Sequence, residues 1–363
     1  MLNGSTVIPK LSANDITRAY LNNRIVYQAQ KQSGGLTYVG TITPLSVARY
    51  SLAATSIGDY ALFGGGNPAS NVVDAYDTNL VRTIPTALSA ARFGLAATTV
   101  GNYAFFGGGA TSSALNNQVE AYNKFLVRTI LTNLSVARTE LASAGVGNYA
   151  LFAGGRDRSN VPYNTVDVYN NLTAGTPITL GGTTYGLASA SIGNYALFAG
   201  GRRSNVSQNA SNIVDSFDIN LLRVNRSTLS SSSMKFAATT VESYALFGGG
   251  ETIANVASAI SSVTAYDSNL VRSIPTPLSD ARQGLAATTV GDYALFGGGD
   301  ISTGTSSPKS TVDAYDINLV RSIPTALIHE RAALAATTIG EYALFGGGYF
   351  GGVLADVEAH TVK

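Results

Sequence analysis

A chain of 363 residues with 45% hydrophobic and 12% charged residues has ample material for a core and too few charges to stay disordered. Its formal net charge of +1 leaves no electrostatic footprint for nucleic acid or an anionic membrane, and no segment reaches the ~18 uninterrupted apolar residues of a membrane span. It has no cysteine, which removes disulfides, thiolate metal sites and cysteine nucleophiles.

Residues 1–35 are unlike everything after them. Met1–Lys10 has no basic region followed by an apolar run, so no secretory leader is expected there. Ile16–Leu21 and Arg24–Ala29 are β-prone runs separated by Asn22-Asn23. Asparagine tolerates the positive φ of a tight turn, so this spacing predicts a β-hairpin. Gln32–Gly35 reads as a flexible joint. A lone hairpin is marginal in water, so this one is expected to dock on the rest of the molecule, a sister chain or a larger assembly.

From Leu36 onward one unit repeats. YALFGGG or a close variant stands at Tyr60–Gly66, Tyr103–Gly109, Tyr149–Gly155, Tyr195–Gly201, Tyr244–Gly250, Tyr293–Gly299 and Tyr342–Gly348. So long and regular a period means one supersecondary unit in seven copies. Before each copy runs a small apolar strand such as Gly94–Val100, usually joined by a Gly-Asp or Gly-Asn pair (Gly58-Asp59, Gly101-Asn102, Gly291-Asp292) that signals a type II′ hairpin. The fifth copy has Glu242-Ser243 there instead. After each copy come a variable loop, a third strand such as Val73–Tyr76, an Asp-x-Asn turn such as Asp77–Asn79, and a fourth strand typified by LVRTIPT. Each unit is thus four antiparallel strands.

The seventh unit stops at its third strand, Asp356–Lys363, while Thr37–Arg49 aligns with Leu80–Arg92 as a fourth strand lacking its first three. In an open stack, the β-solenoid alternative, both fragments would be unpaired edges; a ring joins them into one sheet. The expected fold is all-β: a seven-bladed propeller over 36–363 closed by an N-terminal strand in its last blade, preceded by the hairpin and linker of 1–35.

This pattern resembles the kelch-repeat β-propeller family. The glycine doublet ending the second strand is present seven times, and Tyr76-Asp77, Tyr266-Asp267 and Tyr315-Asp316 supply the aromatic-Asp pair. The family's fourth-strand tryptophan is absent, and Arg82, Arg128, Arg223, Arg272 and Arg321 stand near its place. The hairpin, with Ala19-Tyr20-Leu21 and Val26-Tyr27, is similar to short segments of bacteriophage virion and tail proteins. The propeller resemblance implies a fold and leaves activity open.

All loop-length variation falls on one expected face, in Asn67–Asn71, Ala110–Asn117, Arg156–Asn164, Arg202–Asn212, Glu251–Ser262, Asp300–Ser310 and Tyr349–Ala355. Variable loops on a rigid scaffold commonly form binding surfaces. Their Arg156, Asp157, Arg158, Tyr163, Arg202, Arg203, Tyr349 and Phe350 suit a polar ligand such as a glycan, and equally suit solvation. Arg49, Arg92, Arg138, Arg282 and Arg331 recur at one position in the crossings between blades, with Thr184 and Ser233 in the other two. They read either as a ring for a carboxylate or phosphate or as internal partners of the third-strand acids Asp74, Glu120, Asp167, Asp215, Asp313 and Glu358. The near-equal numbers of acids and bases favour the second.

Catalytic constellations are hard to find. The two histidines, His329 and His360, are too few and too far apart in sequence for a metal site, and His360 replaces a third-strand tyrosine. The chain lacks the Tyr–Cys cross-link of copper oxidases with kelch-like propellers and the Asp-boxes of sialidase-type propellers. Asp157, Glu251 and Asp300 leave a paired-carboxylate hydrolase as a formal option. The expectation is a non-enzymatic recognition or structural module without catalytic residues, metal or cofactor. It is expected in a bacteriophage virion or outside the cell, attached through residues 1–35 to other virion proteins and binding a cell-surface glycan or protein; a homo-oligomer is compatible. The alternatives are an intracellular interaction scaffold, in keeping with the missing leader, and a glycan-active hydrolase.

Overall fold

The structure, a computed structural model, describes residues 18–21, 24–28, 35–203, 210–253, 257–301 and 306–363. Its contacts divide the chain into two units: Met1–Gly35 with Lys363, and Leu36–Val362. In the first unit Arg18–Leu21 pairs antiparallel with Arg24–Gln28, with a register shift between Ala19 and Tyr20. The Asn22-Asn23 turn and most of the Gln32–Gly35 joint lie outside the described residues, as do parts of the loops Arg202–Asn212, Glu251–Ser262 and Asp300–Ser310.

The second unit is a seven-bladed β-propeller, and no helix occurs among the described residues. Blade one is Ala53–Ile57, Tyr60–Gly64, Val73–Asp77 and Arg82–Thr83, paired in that order. Blades two to six follow it, with first strands Ala96–Val100, Ala142–Val146, Ala188–Ile192, Ala237–Val241 and Ala286–Val290, except that in blade three two segments, Thr173–Ala174 and Ile178–Thr184, share the place of the fourth strand. Blade seven has Ala335–Ile339, Tyr342–Gly346 and Val357–Val362, and its fourth strand is Leu36–Ile42, from Leu36 opposite Val362 to Ile42 opposite Val357. The seven first strands neighbour one another in a complete circle, blade seven next to blade one. The split unit of the sequence is this closing blade.

Small side chains let those inner strands approach, and hydroxyls tie several of them across blades. Thr55 and Thr99 share a 2.8 Å hydrogen bond, as do Thr239 and Thr289, while Ser189 and Ser191 donate to the carbonyls of Ser143 and Gly145 at 2.7 Å. The second strands are covered on both faces, which is why they read as unbroken apolar runs. Leu62 of blade one packs with Ala104 and Phe106 of blade two, while Ala61 and Phe63 pack with Leu344 and Ala359 of blade seven.

The glycines ending these strands answer to the next blade. A Cβ on Gly297 would come within 2.6 Å of the Phe345 ring, and Gly64, Gly107, Gly248 and Gly346 lie equally close to Phe106, Phe152, Phe296 and Phe63. Short turns end the blades on the opposite face. Asp77 Oδ1 accepts the backbone N–H groups of Asn79 and Val81, each at 2.9 Å, and Asn123, Asp218, Asp267 and Asp316 repeat the arrangement. Glu242 holds φ of 46° where the other blades use glycine at 51–55°, so the fifth turn keeps its shape without the glycine.

Candidate functional site

The variable loops and the crossings emerge together around the mouth of the central channel, and the backbone there forms a repeating frame. One residue per blade (Ser51, Gly94, Glu140, Gly186, Lys235, Gly284 and Ala333) sits in the left-handed region, with φ between 51° and 64°. Each donates its N–H to the same residue of the preceding blade at 2.8–3.1 Å, and Ser51 donates to Ala333. The result is a closed circuit of seven head-to-tail hydrogen bonds. Outside it, the residue after each glycine run forms a bridge with the residue just before the circuit: Asn67 with Tyr50, Ala110 with Phe93, Arg156 with Thr139, Arg202 with Tyr185, Glu251 with Met234, Asp300 with Gln283 and Tyr349 with Ala332.

Three of the expected ligand residues, Arg156, Arg202 and Tyr349, therefore occupy one structural position in blades three, four and seven. Tyr349 and Phe350 are exposed, and the Tyr349 ring lies 5.5 Å from that of Tyr50, to whose hydroxyl Asn67 Nδ2 donates at 2.5 Å. Arg156 meets Glu140 at 2.6 Å and lies over the Tyr185 ring. That partner pushes the Arg156 pKa up despite partial burial. Lys235 meets the buried Glu251 at 2.9 Å. The mouth thus carries an aromatic sector on blades seven and one and a sector of paired charges on blades three and five.

The remaining loop candidates hold the loops themselves. Asp157 Oδ1 accepts from the N–H groups of Ser159 and Val161, each at 2.8 Å, the same turn the Asp-x-Asn corners use. Arg158 donates to the Ser112 carbonyl of the neighbouring loop at 2.8 Å. Tyr163 is half-buried at the start of a third strand, and Arg203 is half-buried beside Gly182. Of the three carboxylates weighed for hydrolysis, Asp157 serves its turn, Glu251 faces Lys235, and Asp300 accepts from Ser306 Oγ and the Ser307 N–H.

The five crossing arginines lie inside the molecule, with no exposed surface. Arg49 meets Asp74 at 2.6 Å, Arg138 Asp167 at 2.7 Å, Arg282 Asp313 at 2.6 Å and Arg331 Glu358 at 2.8 Å, and Arg92 pairs with Glu120. Burial lowers each guanidinium's pKa from its ordinary value, and the carboxylate opposes that. Each arginine clamps two blades. The Arg92 N–H donates to Ser70 of blade one while its side chain reaches Glu120 of blade two, and Arg49 joins Leu354 of blade seven to Asp74 of blade one. The same acids accept a crossing N–H, as Asp74 does from Ser46 and Glu358 from Ile328. A free anion in solution meets none of these five side chains.

Among solved structures, that of YjhT superposes with a TM-score of 0.63 over 78% of this chain and 99% of its own, at 12% identity. The likeness is one of fold. No protein-family model matches the chain, and no curated protein matches it.

His360 is fully buried against Phe345 and Tyr38, with Nε2 2.9 Å from the Thr325 carbonyl, where Tyr76, Tyr122, Tyr169 and Tyr315 donate to the equivalent carbonyls. His329 is half-exposed, 3.4 Å from Asp356. Sequence reading missed the left-handed circuit and the two ion pairs beside it. The available signal was glycine at three of its seven positions, Gly94, Gly186 and Gly284.

Proposed function

We propose that this protein is a non-enzymatic recognition module, a kelch-type propeller whose variable-loop face binds a cell-surface glycan or protein. We further propose that it is carried on a bacteriophage virion, with residues 1–35 as its attachment segment. One observation carries the recognition reading: a backbone frame that repeats seven times at the channel mouth bears six different kinds of side chain at its seven bridging positions. Packing constrains the glycines and arginines beneath it, whereas the same backbone at the bridging position accommodates Asn, Ala, Arg, Arg, Glu, Asp and Tyr. Exposed Tyr349 and Phe350 offer flat faces for sugar C–H groups, and the serine- and asparagine-rich loops offer hydroxyl and amide partners.

A glycan array probed with the whole chain and with a Tyr349→Ala, Phe350→Ala variant tests this. Selective binding that the double variant loses supports the reading. Binding that survives exchange of all the variable loops would sink it. For attachment, a pull-down of virion proteins should fail when residues 1–35 are removed; unchanged capture would leave the segment without that role. Capture of only intracellular proteins, with a silent array, would favour a scaffold instead.

A further inference from the structure

The seven blades serve as controls for one another, and blade five departs from the others in a concerted way. Six blades carry an acid in the third strand, and five carry the crossing arginine. Blade five lacks both: Ser233 replaces the arginine and Thr264 the acid. The space that holds a guanidinium elsewhere is a small cleft on the variable-loop face, lined by Ser231, Ser233, Ser262, Thr264, Phe236 and Phe247. It has room for about a single water- or hydroxyl-sized group.

The chemistry of that cleft is selective. Thr264 Oγ1 accepts the Ser230 N–H at 2.9 Å, as the acid does in other blades, so the crossing stays anchored without a charge. Ser233 Oγ donates to the Gly249 carbonyl at 2.9 Å, which leaves its lone pairs free to accept. Among the described residues, the half-buried hydroxyls of Ser231 and Ser262 have no partner. A cation entering the cleft would find no carboxylate, and an anion no guanidinium. Lys235 and Glu251, on the same crossing and loop, pair with each other. Phe236 and Phe247 supply the apolar part of the lining.

We propose that this cleft is the subsite for an uncharged, hydroxyl-bearing group of a glycan, such as the hydroxymethyl arm of a neutral hexose. The hydroxyl takes the place of the missing guanidinium, donating to Ser233 and exchanging hydrogen bonds with Ser231 and Ser262. This rests on the recognition reading above and extends it to a substrate class. It also divides the mouth into a stacking sector at Tyr349 and Phe350 and a hydroxyl-reading sector at blade five.

The test uses the whole chain on an array of neutral and acidic oligosaccharides, followed by titration of the best neutral hexose-bearing hit. Ser233→Arg with Thr264→Asp rebuilds the clamp of the other blades and fills the cleft. The expected result is a variant that melts within a few degrees of the parent and binds about tenfold or more weakly. Ser262→Ala, at a half-exposed position outside the clamp, is expected to weaken binding a few-fold. If the parent binds and both variants bind equally well, the subsite is wrong while the recognition reading stands. Should the filled variant melt early, Ser262→Ala decides alone, and unchanged affinity overturns the subsite. A parent that binds nothing on the array brings down the glycan form of the recognition reading and the subsite with it, and preference for acidic over neutral sugars overturns the subsite alone.

Discussion

Blades five and six are consecutive copies of one unit, and they are held in different ways. In blade six Arg282 donates to the Phe296 carbonyl at 3.1 Å and to Asp313 at 2.6 Å, and Asp313 also accepts from the Ser279 N–H and hydroxyl. In blade five neutral hydroxyls stand in: Ser233 donates to the Gly249 carbonyl, two residues beyond Phe247, and Thr264 accepts the Ser230 N–H. The backbone path is the same, so the ion pair is one of two chemistries that anchor a crossing. The difference reaches into the preceding blade. Wherever a blade has the arginine, the blade before it ends its second strand in glycine; before the two blades that lack it stand Ala153 and Ala199. The phenylalanine whose carbonyl the arginine engages is the one pressed on that glycine, as with Arg138, Phe152 and Gly107. Without the arginine to hold it, the ring leaves room for a methyl group.

The largest test of this contrast removes the clamp where it exists. Arg282→Ala leaves buried Asp313 with Ser279 and the more distant Arg321, 3.9 Å away, and is expected to destabilise the protein by about 3 kcal/mol, whereas Ser233→Ala should cost about 1 kcal/mol. Denaturant titration of both measures the gap, and equal costs would mean that the ion pair adds nothing to the hydroxyl arrangement. Next, Ser233→Arg alone places a guanidinium opposite Thr264 and is expected to cost about 3 kcal/mol, most of it recovered when Thr264→Asp is added. A double-mutant cycle with no coupling would show that the crossing cannot be converted.

Third, Gly297→Ala should cost about 1–3 kcal/mol through overpacking on Phe345, while Ala199→Gly should cost about 1 kcal/mol or less. Thermal melts that reverse this order would undo the link between glycine and arginine.

The smallest effect extends the comparison to blade seven. Burial pushes the His360 pKa down, so the folded protein holds the ring neutral while the unfolded chain takes up a proton near its ordinary value. The stability this gives is fully present above the unfolded pKa and is lost as pH falls through it toward the folded one. His360→Tyr installs the residue of the neighbouring blades. Its melting temperature should fall less than the parent's between pH 7 and pH 5, and parallel curves would show that His360 is not responsible.

The ring architecture was legible because its causes repeat: seven copies of one strand, and a unit split between the two ends that only a closed circle could reunite. The burial of the arginines was half legible. Their counterparts Asp74, Glu120, Asp167, Asp313 and Glu358 were visible, but whether a loop arginine faces solvent or the next blade depends on how crossings pack, which no local pattern encodes. The mouth circuit was hidden for a different reason. Ser51, Glu140, Lys235 and Ala333 adopt a left-handed conformation because neighbouring blades hold them there, so their identity does not announce it. Asp157 was misleading in a useful way, since its turn is the Asp-x-Asn corner transplanted into a loop.

The pairing of Leu36–Ile42 with Val357–Val362 has a mechanical consequence. Every other blade is continuous chain from its first strand to its fourth, but blade seven is latched by hydrogen bonds between distant segments. Tension entering at Leu36 falls first on its bond pair with Val362, at the outer edge of the sheet. Pulled sideways, that strand would peel open one pair at a time; pulled along its length, it would resist as a set in shear. The direction of pull, more than the number of contacts, would decide when the ring springs open.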